Sequence, residues 1–207
     1  MTRRSRTALP PAPPFGEPIP QPDAPEVLDF LSRRRSSSAL TLGGPGPSSG
    51  EIETLIRLAT RVPDHGKLSP WRFIVLAGEA KSAFADRLEA LARSRGDERA
   101  VAKLGKLRAP PTCIAVISIP RAAEIREWEQ VLSAGAVCTT LLYAATAMGY
   151  GANWITDWYA YDAAACAVLG LAGAERVAGF ILIGEAGEAP RERERPEPAG
   201  LTTTWTG

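Results

Sequence analysis

Histidine, paired cysteine and any surplus of one charge are what this sequence lacks. It has a single histidine, His65, and three cysteines, Cys113, Cys138 and Cys166, widely separated and each set among apolar residues. No CxxC pair occurs, so neither a zinc site nor a disulfide framework is expected, and the thiols read as buried and reduced, as in a cytoplasmic protein. The 24 Lys and Arg offset 23 Asp and Glu to a net +1, so no global field draws the chain to nucleic acid or to an acidic membrane. No GxGxxG follows a strand, and neither GxxxxGK[ST] nor GxSxG occurs, which removes the support for a Rossmann site, a P-loop or a hydrolase elbow. Strongly apolar runs of membrane length are lacking too. The longest uncharged run, 131–152, is long enough to span, but its threonines, glycines and alanines point to a buried core helix with a small-residue face.

What is present is an ordinary globular balance, 45% hydrophobic and 23% charged over 207 residues. Residues 1–24 are basic and then Pro-rich, without a signal-peptide core, and read as a disordered or polyproline-like tail. Residues 25–190 read as one domain, and 191–207, opening with "RERERPEP", as a charged, solvated C-terminal tail. Helical spacing marks "EVLDFLSRR", "EIETLIRLATR" (with Ser49 as its expected cap), "EAKSAFADRLEALARSR", the long run from Trp128 to Gly149, and "YDAAACAVLGL" closed by Gly170. Residues 96–108 read as helical but exposed. Four short apolar, β-branched runs read as strands: "RFIVLAG", "PTCIAVISIP", "YGANWIT" and "ERVAGFILIGEAG". Strands apolar on both faces alternating with helices predict an α+β or α/β sandwich with a sheet of about four strands.

Three stretches could carry chemistry. "RRRS" at 33–36, at a helix end, suits a phosphate through bidentate guanidinium bonds and a hydroxyl; a solvated basic helix end fits equally. "RVPDHGK" carries Arg61 and His65, and the imidazole could bond a ligand heteroatom or only the loop backbone. Asp64 is adjacent to His65 and need not face it, so the loop offers no partner to tune the ring. "GYGANWIT" places Trp154 after a glycine-rich helix exit, where it could line a slot for a flat ligand or sit in the core. Trp128 reads as a core or interface aromatic.

Taken together and in order, these segments resemble the FMN-dependent nitroreductase family, most closely its short bacterial NAD(P)H nitroreductase subgroup. The resemblance runs from about Pro25 to Glu188. It is carried by "RRS" with Leu40 following, Pro45 and Pro47, "RxPDHGKLxPWRF", "AP" at 109–110, "WEQ…SAG", "AxxxGYGxxW" and "GFILIGE". It implies an α+β, three-layer α/β/α sandwich with a central sheet of four or five strands, forming an interlocked homodimer. It further implies that Arg34, Arg35 and Ser36 hold the FMN phosphate and ribityl chain, and that Arg61 and His65 reach the flavin from the partner subunit. Trp154, Ile155 and Thr156 would lie along the isoalloxazine, and Ala144, Ala145, Thr146, Ala147, Met148 and Gly149 beside the nicotinamide of NAD(P)H.

The implied reaction passes hydride from NAD(P)H through FMN N5 to nitroaromatic, quinone or similar small acceptors in ping-pong order, with no catalytic side chain and no metal. The alternatives are a flavin-binding module without turnover and a related flavin reaction such as enone reduction or dehalogenation. Arg33 leaves the register of the arginine motif open by one residue. The chain has Ser38 and Ala39 where many relatives carry another arginine, so anchoring could lean on Arg61, Arg191 or Arg193. The run from Ser133 to Ala147 is expected to pack on its symmetry mate, with Ala136 and Ala144 at the contact.

Overall fold

β-Branched runs that are apolar at every position need cover on both sides, and they find it in the middle of an antiparallel sheet. The computed structural model describes residues 11–207. Its five strands are β1 (Leu42–Gly43), β2 (Trp71–Ala77), β3 (Thr112–Ser118), β4 (Gly151–Ile155) and β5 (Arg176–Ala186). β5 pairs with β3 along one edge and with β4 and then β1 along the other, while β2 closes the far side of β3. Every residue of β3 is buried. Cys113, Ala115 and Ile117 enter the core on one face, and Ile114 and Val116 the core on the other.

The helices are α1 (Pro25–Arg33), α2 (Ser49–Ala59), α3 (Gly78–Ser94), α4 (Glu98–Lys103), α5 (Gly105–Arg108), α6 (Glu127–Ala147) and α7 (Ala163–Val168). One face of the sheet is covered by α3, α4, α5 and α7 through Phe84, Leu88, Leu104, Leu107 and Ala165. The other carries α2 and α6 through Leu55, Ala59, Val137, Cys138 and Leu141. The result is the three-layer sandwich that the resemblance implies.

Several local expectations need correction. Ser48, not Ser49, caps α2, in a reciprocal capping box with Glu51. The 96–108 segment is helical but not simply exposed, because Ala100, Leu104 and Leu107 point into the core. Cys113 and Cys138 are buried, and desolvation pushes both thiols up to about 12, whereas Cys166 is partly exposed. Helix α6 has the length and composition of a membrane span, yet packs one side on the sheet and leaves the other open. Trp128 and Leu132 are exposed on that open side, so Trp128 is no core residue, and Ala136 lies there half-buried. Ala144 instead faces the core, so it cannot share Ala136's expected contact.

The termini extend beyond this frame. Residues 11–24 are almost wholly exposed and contain no helix or strand; residues 1–10 of the expected tail lie outside the described residues. Helix α1 buries none of its side chains, and Val27, Leu28 and Leu31 are exposed. Its Phe30 meets Tyr143 of α6 edge to face at 5.7 Å. Past Pro190 the chain is exposed, with one short 3-10 turn at Pro198–Leu201.

Candidate functional site

The arginine motif resolves into three different fates. Arg33 is still helical and pairs with Asp29 one turn back. Arg34 lies 5.5 Å over the ring of Tyr143 and reaches Ser36 Oγ at 3.5 Å. Arg35 turns the other way, donating Nε to the carbonyl of Arg191 at 2.9 Å. The loop is tied to β4 because the Ser37 amide donates to Ala152 O at 3.0 Å and Asn153 Nδ2 donates to Ser37 O. Gly151 permits this approach, since a Cβ there would sit 2.5 Å from Leu42 Cδ2 and 2.9 Å from Ser37 Oγ.

Between the loop and the returning C-terminal segment lies a cleft of about 600 Å³, lined by residues 35–38, Asn153 and 188–193. Arg35, Arg191 and Arg193 face it together with the hydroxyls of Ser36 and Ser38, the donor set that suits a phosphate. Glu188 and Glu192 border it as well. Glu192 is held below the usual carboxylate range by the Arg193 backbone N–H and then by Arg195, and lies 3.8 Å from Arg35. The start of the C-terminal charge run is thus exposed yet lies beside Arg35.

The segment after α2 forms a second cluster. The Asp64 carboxylate accepts from the amides of Leu68 (3.1 Å) and Ser69 (2.8 Å), clamping a turn in which Gly66, Lys67 and Ser69 all have positive φ. Two non-glycine residues in that region are strained, and such strain persists only where surrounding bonds over-determine it. The turn docks on α6: Ser133 Oγ donates to Pro63 O at 2.7 Å, and Trp71 Nε1 donates to Ser133 Oγ at 3.2 Å. His65 does have a partner, contrary to the expectation from its own loop. Glu129, in the first turn of α6, places Oε2 2.8 Å from Nδ1. Sixty-four residues separate the two, so spacing alone gave no signal. Arg61 is exposed and makes no side-chain ion pair among the described residues.

These clusters sit at opposite ends of α6. Glu129 and Tyr143 are fourteen residues apart, about 21 Å along a helix. One chain therefore does not bring Arg34, Arg35 and Ser36 together with Arg61 and His65.

The remaining candidates flank the helix. Trp154, on β4, is 38% exposed and donates Nε1 to Ala178 O at 3.3 Å. Ile155 packs into the opposite core and Thr156 is exposed. Of the stretch from Ala144 to Gly149, Ala144 and Ala145 face the core, and Thr146 bonds back to Leu142 O at 2.9 Å. Ala147 and Gly149 are open, Met148 is half-buried, and Gly149 turns the chain at φ +81°.

Comparison with known proteins agrees with this frame. The Nitroreductase family profile matches residues 31–185. The "Putative NAD(P)H nitroreductase YdjA" of Escherichia coli K12 is 30% identical over 162 residues, 77% of this chain and 87% of that protein. A Haemophilus influenzae "Putative NAD(P)H nitroreductase" is 32% identical over 173 residues, 82% and 92% of the two chains. Among solved structures, a nitroreductase-like family protein from Bacillus cereus superposes with a TM-score of 0.78 at 19% identity, covering 92% of this chain and 100% of its own. A "putative nitroreductase in complex with FMN" from Desulfovibrio desulfuricans superposes at 0.71 and 22% identity, covering 89% and 99%. With a profile spanning most of the described domain and relatives at this identity over nearly their full length, the chain belongs to the Nitroreductase family.

Proposed function

We propose that the cleft beside Arg35 takes the phosphate of FMN, and that the protein is an oxidoreductase carrying hydride from NAD(P)H to nitroaromatic, quinone or similar electron-poor acceptors. At the coarser level that the family carries, the protein is a flavin oxidoreductase. The single observation behind the finer reading is the convergence of Arg35, Arg191 and Arg193 with Ser36, Ser38 and Asn153 on one cleft. FMN, when bound, supplies hydride acceptance and donation at N5.

The protein's own part is binding and orientation. Arg35 and the returning arginines neutralise the phosphate, Ser36 and Ser38 add directional donors, and the Ser37–β4 bonds fix the loop that presents them. Trp154 follows Asn153 on β4, and in this reading its indole borders the ring system, with Ile155 and Thr156 continuing the segment to and past the strand end. An open stacking face would serve nicotinamide and acceptor in turn, which gives ping-pong kinetics.

Arg61 and His65 complete the site from a second chain in this reading, because within one chain His65 is tied to Glu129 at one end of α6 and Arg34 to Tyr143 near the other. The open side of α6, with Leu132 and Ala136, and the uncovered face of α1 are the surfaces available to such a homodimer. Glu129 orients His65 through Nδ1 and leaves Nε2 to reach out as a hydrogen-bonding group.

The test is direct. Purified protein should release about one FMN per chain and bleach anaerobically on addition of NADH or NADPH, recovering its colour with a nitroaromatic or quinone. A protein that cannot be reconstituted with FMN would refute the reading, and a yellow protein inert to both nicotinamides would make it a binding module.

A further inference from the structure

Gly179 shares a sheet face with Trp154, and no side chain can stand between them. A Cβ built on Gly179 would fall 2.1 Å from Trp154 Nε1, 2.6 Å from Cδ1 and 3.0 Å from Cε2. All three of the nearest atoms belong to the indole, and Gly179 does not have positive φ. The backbone dihedrals there would accept alanine; the nearest obstacle is the indole. The strand is irregular at this point. Gly179 pairs with Val116 and Val177 with Ile117, so Ala178 has no register partner on β3, and its carbonyl accepts the indole N–H at 3.3 Å.

We infer that Gly179 is a positioning residue for Trp154 and sets the width of the slot in which flat substrates stack. This inference rests on the proposed flavin site for its functional half. With no side chain at 179, the indole lies down on β5 and its N–H is held by the bulge. With a methyl group there, the ring must move by more than about 1 Å, the gap between 2.1 Å and ordinary contact at 3.4 Å. The indole is 38% exposed, so it can move outward, the side on which the proposed flavin site would offer its stacking slot. Residue 179 thus acts on substrate size without touching substrate, discriminating two-ring acceptors from one-ring acceptors.

The experiment pairs Gly179→Ala with Trp154→Ala and reads two signals. Protein labelled with 5-fluorotryptophan has five indoles, and the Trp154 resonance is the one missing from Trp154→Phe. Gly179→Ala should shift that resonance. In FMN-loaded protein it should lower kcat/KM for a two-ring quinone relative to a one-ring quinone by roughly tenfold, the scale on which pocket shape discriminates. In the Trp154→Ala background the same substitution should leave the ratio unchanged, since the two residues act as one unit.

An unmoved Trp154 resonance would overturn the inference. So would a selectivity change of equal size in both backgrounds. A shifted resonance in a protein that never takes up FMN would uphold Gly179 as the seat of the indole and refute the flavin reading instead.

Discussion

The two ends of α6 are built differently. At its C-terminal end, Arg34 stacks on Tyr143, and a cleft gathers three arginines, two hydroxyls and an amide from segments far apart in sequence. At its N-terminal end, a strained turn clamped by Asp64 presents one imidazole held by one carboxylate. The first end has the charge to hold an anion. The second is rigid enough to contribute a fixed contact. In the proposed reading, their separation is why each end would complete a site with the opposite end of another copy.

The largest expected effect comes from removing the cation that anchors the charged end. Arg35→Ala should weaken FMN binding by roughly 1.5–3 kcal/mol, the scale of a charge-assisted hydrogen bond. Fluorescence titration of FMN into apoprotein measures it, and unchanged affinity would move the anchor to Arg34 or the C-terminal arginines.

Along the helix between the ends, two alanines should behave oppositely. Ala136→Leu sits on the open side and should weaken dimerisation by roughly 1–3 kcal/mol through overpacking. Ala144→Leu faces the core and should lower thermal stability at any protein concentration. Sedimentation and thermal melts separate the two; equal behaviour would erase the distinction between open and closed sides.

The imidazole end should respond more mildly. His65→Asn, at saturating FMN and NAD(P)H, should keep turnover within about tenfold, or ~1.4 kcal/mol of barrier. A loss on the order of a thousandfold would mark His65 as an acid or base, with Glu129 as its orienting partner.

The smallest effect serves as a control away from both clusters. Arg72 bonds Glu175 through Nε (2.7 Å) and a terminal nitrogen (2.8 Å), and this holds the Glu175 carboxyl down at about 2. The stabilisation is complete above the ordinary glutamate value of 4.5 and is lost as pH falls through about 2. Arg72→Met should therefore cost roughly 1 kcal/mol at neutral pH, flatten stability between those limits, and leave FMN affinity unchanged. Acid denaturation curves of the two proteins test it.

The strands of the core were legible in sequence because β-branched runs such as "CIAVIS" admit few other readings. The two-residue β1 was not, since it carries no periodicity and is defined only by pairing with Glu185 and Ala186. The register of the arginine motif was readable in principle: Asp29 and Arg33 are four apart on a helix, so Arg33 had a partner before any ligand was considered. Glu129 as the partner of His65 was not readable, because only the docking of the turn on α6 through Ser133 brings them together. The approach of the C-terminal segment to Arg35 was open in sequence for a related reason. A charge run looks solvated until the chain ahead of it, pinned in β5, returns it to Arg35.

Subunit complementation tests the central claim most directly. Arg35→Ala and His65→Ala chains, differently tagged and co-expressed, can be purified as a mixed dimer and titrated with FMN. If each site joins the arginine cleft of one chain to the imidazole turn of the other, one of the two sites in the mixed dimer is wholly native. The account predicts one FMN per dimer bound with wild-type affinity, against weakened binding at both sites of either parent. Two weakened sites, one with the affinity of each parent and none native, would contradict it, because each chain would then be supplying both ends to its own site.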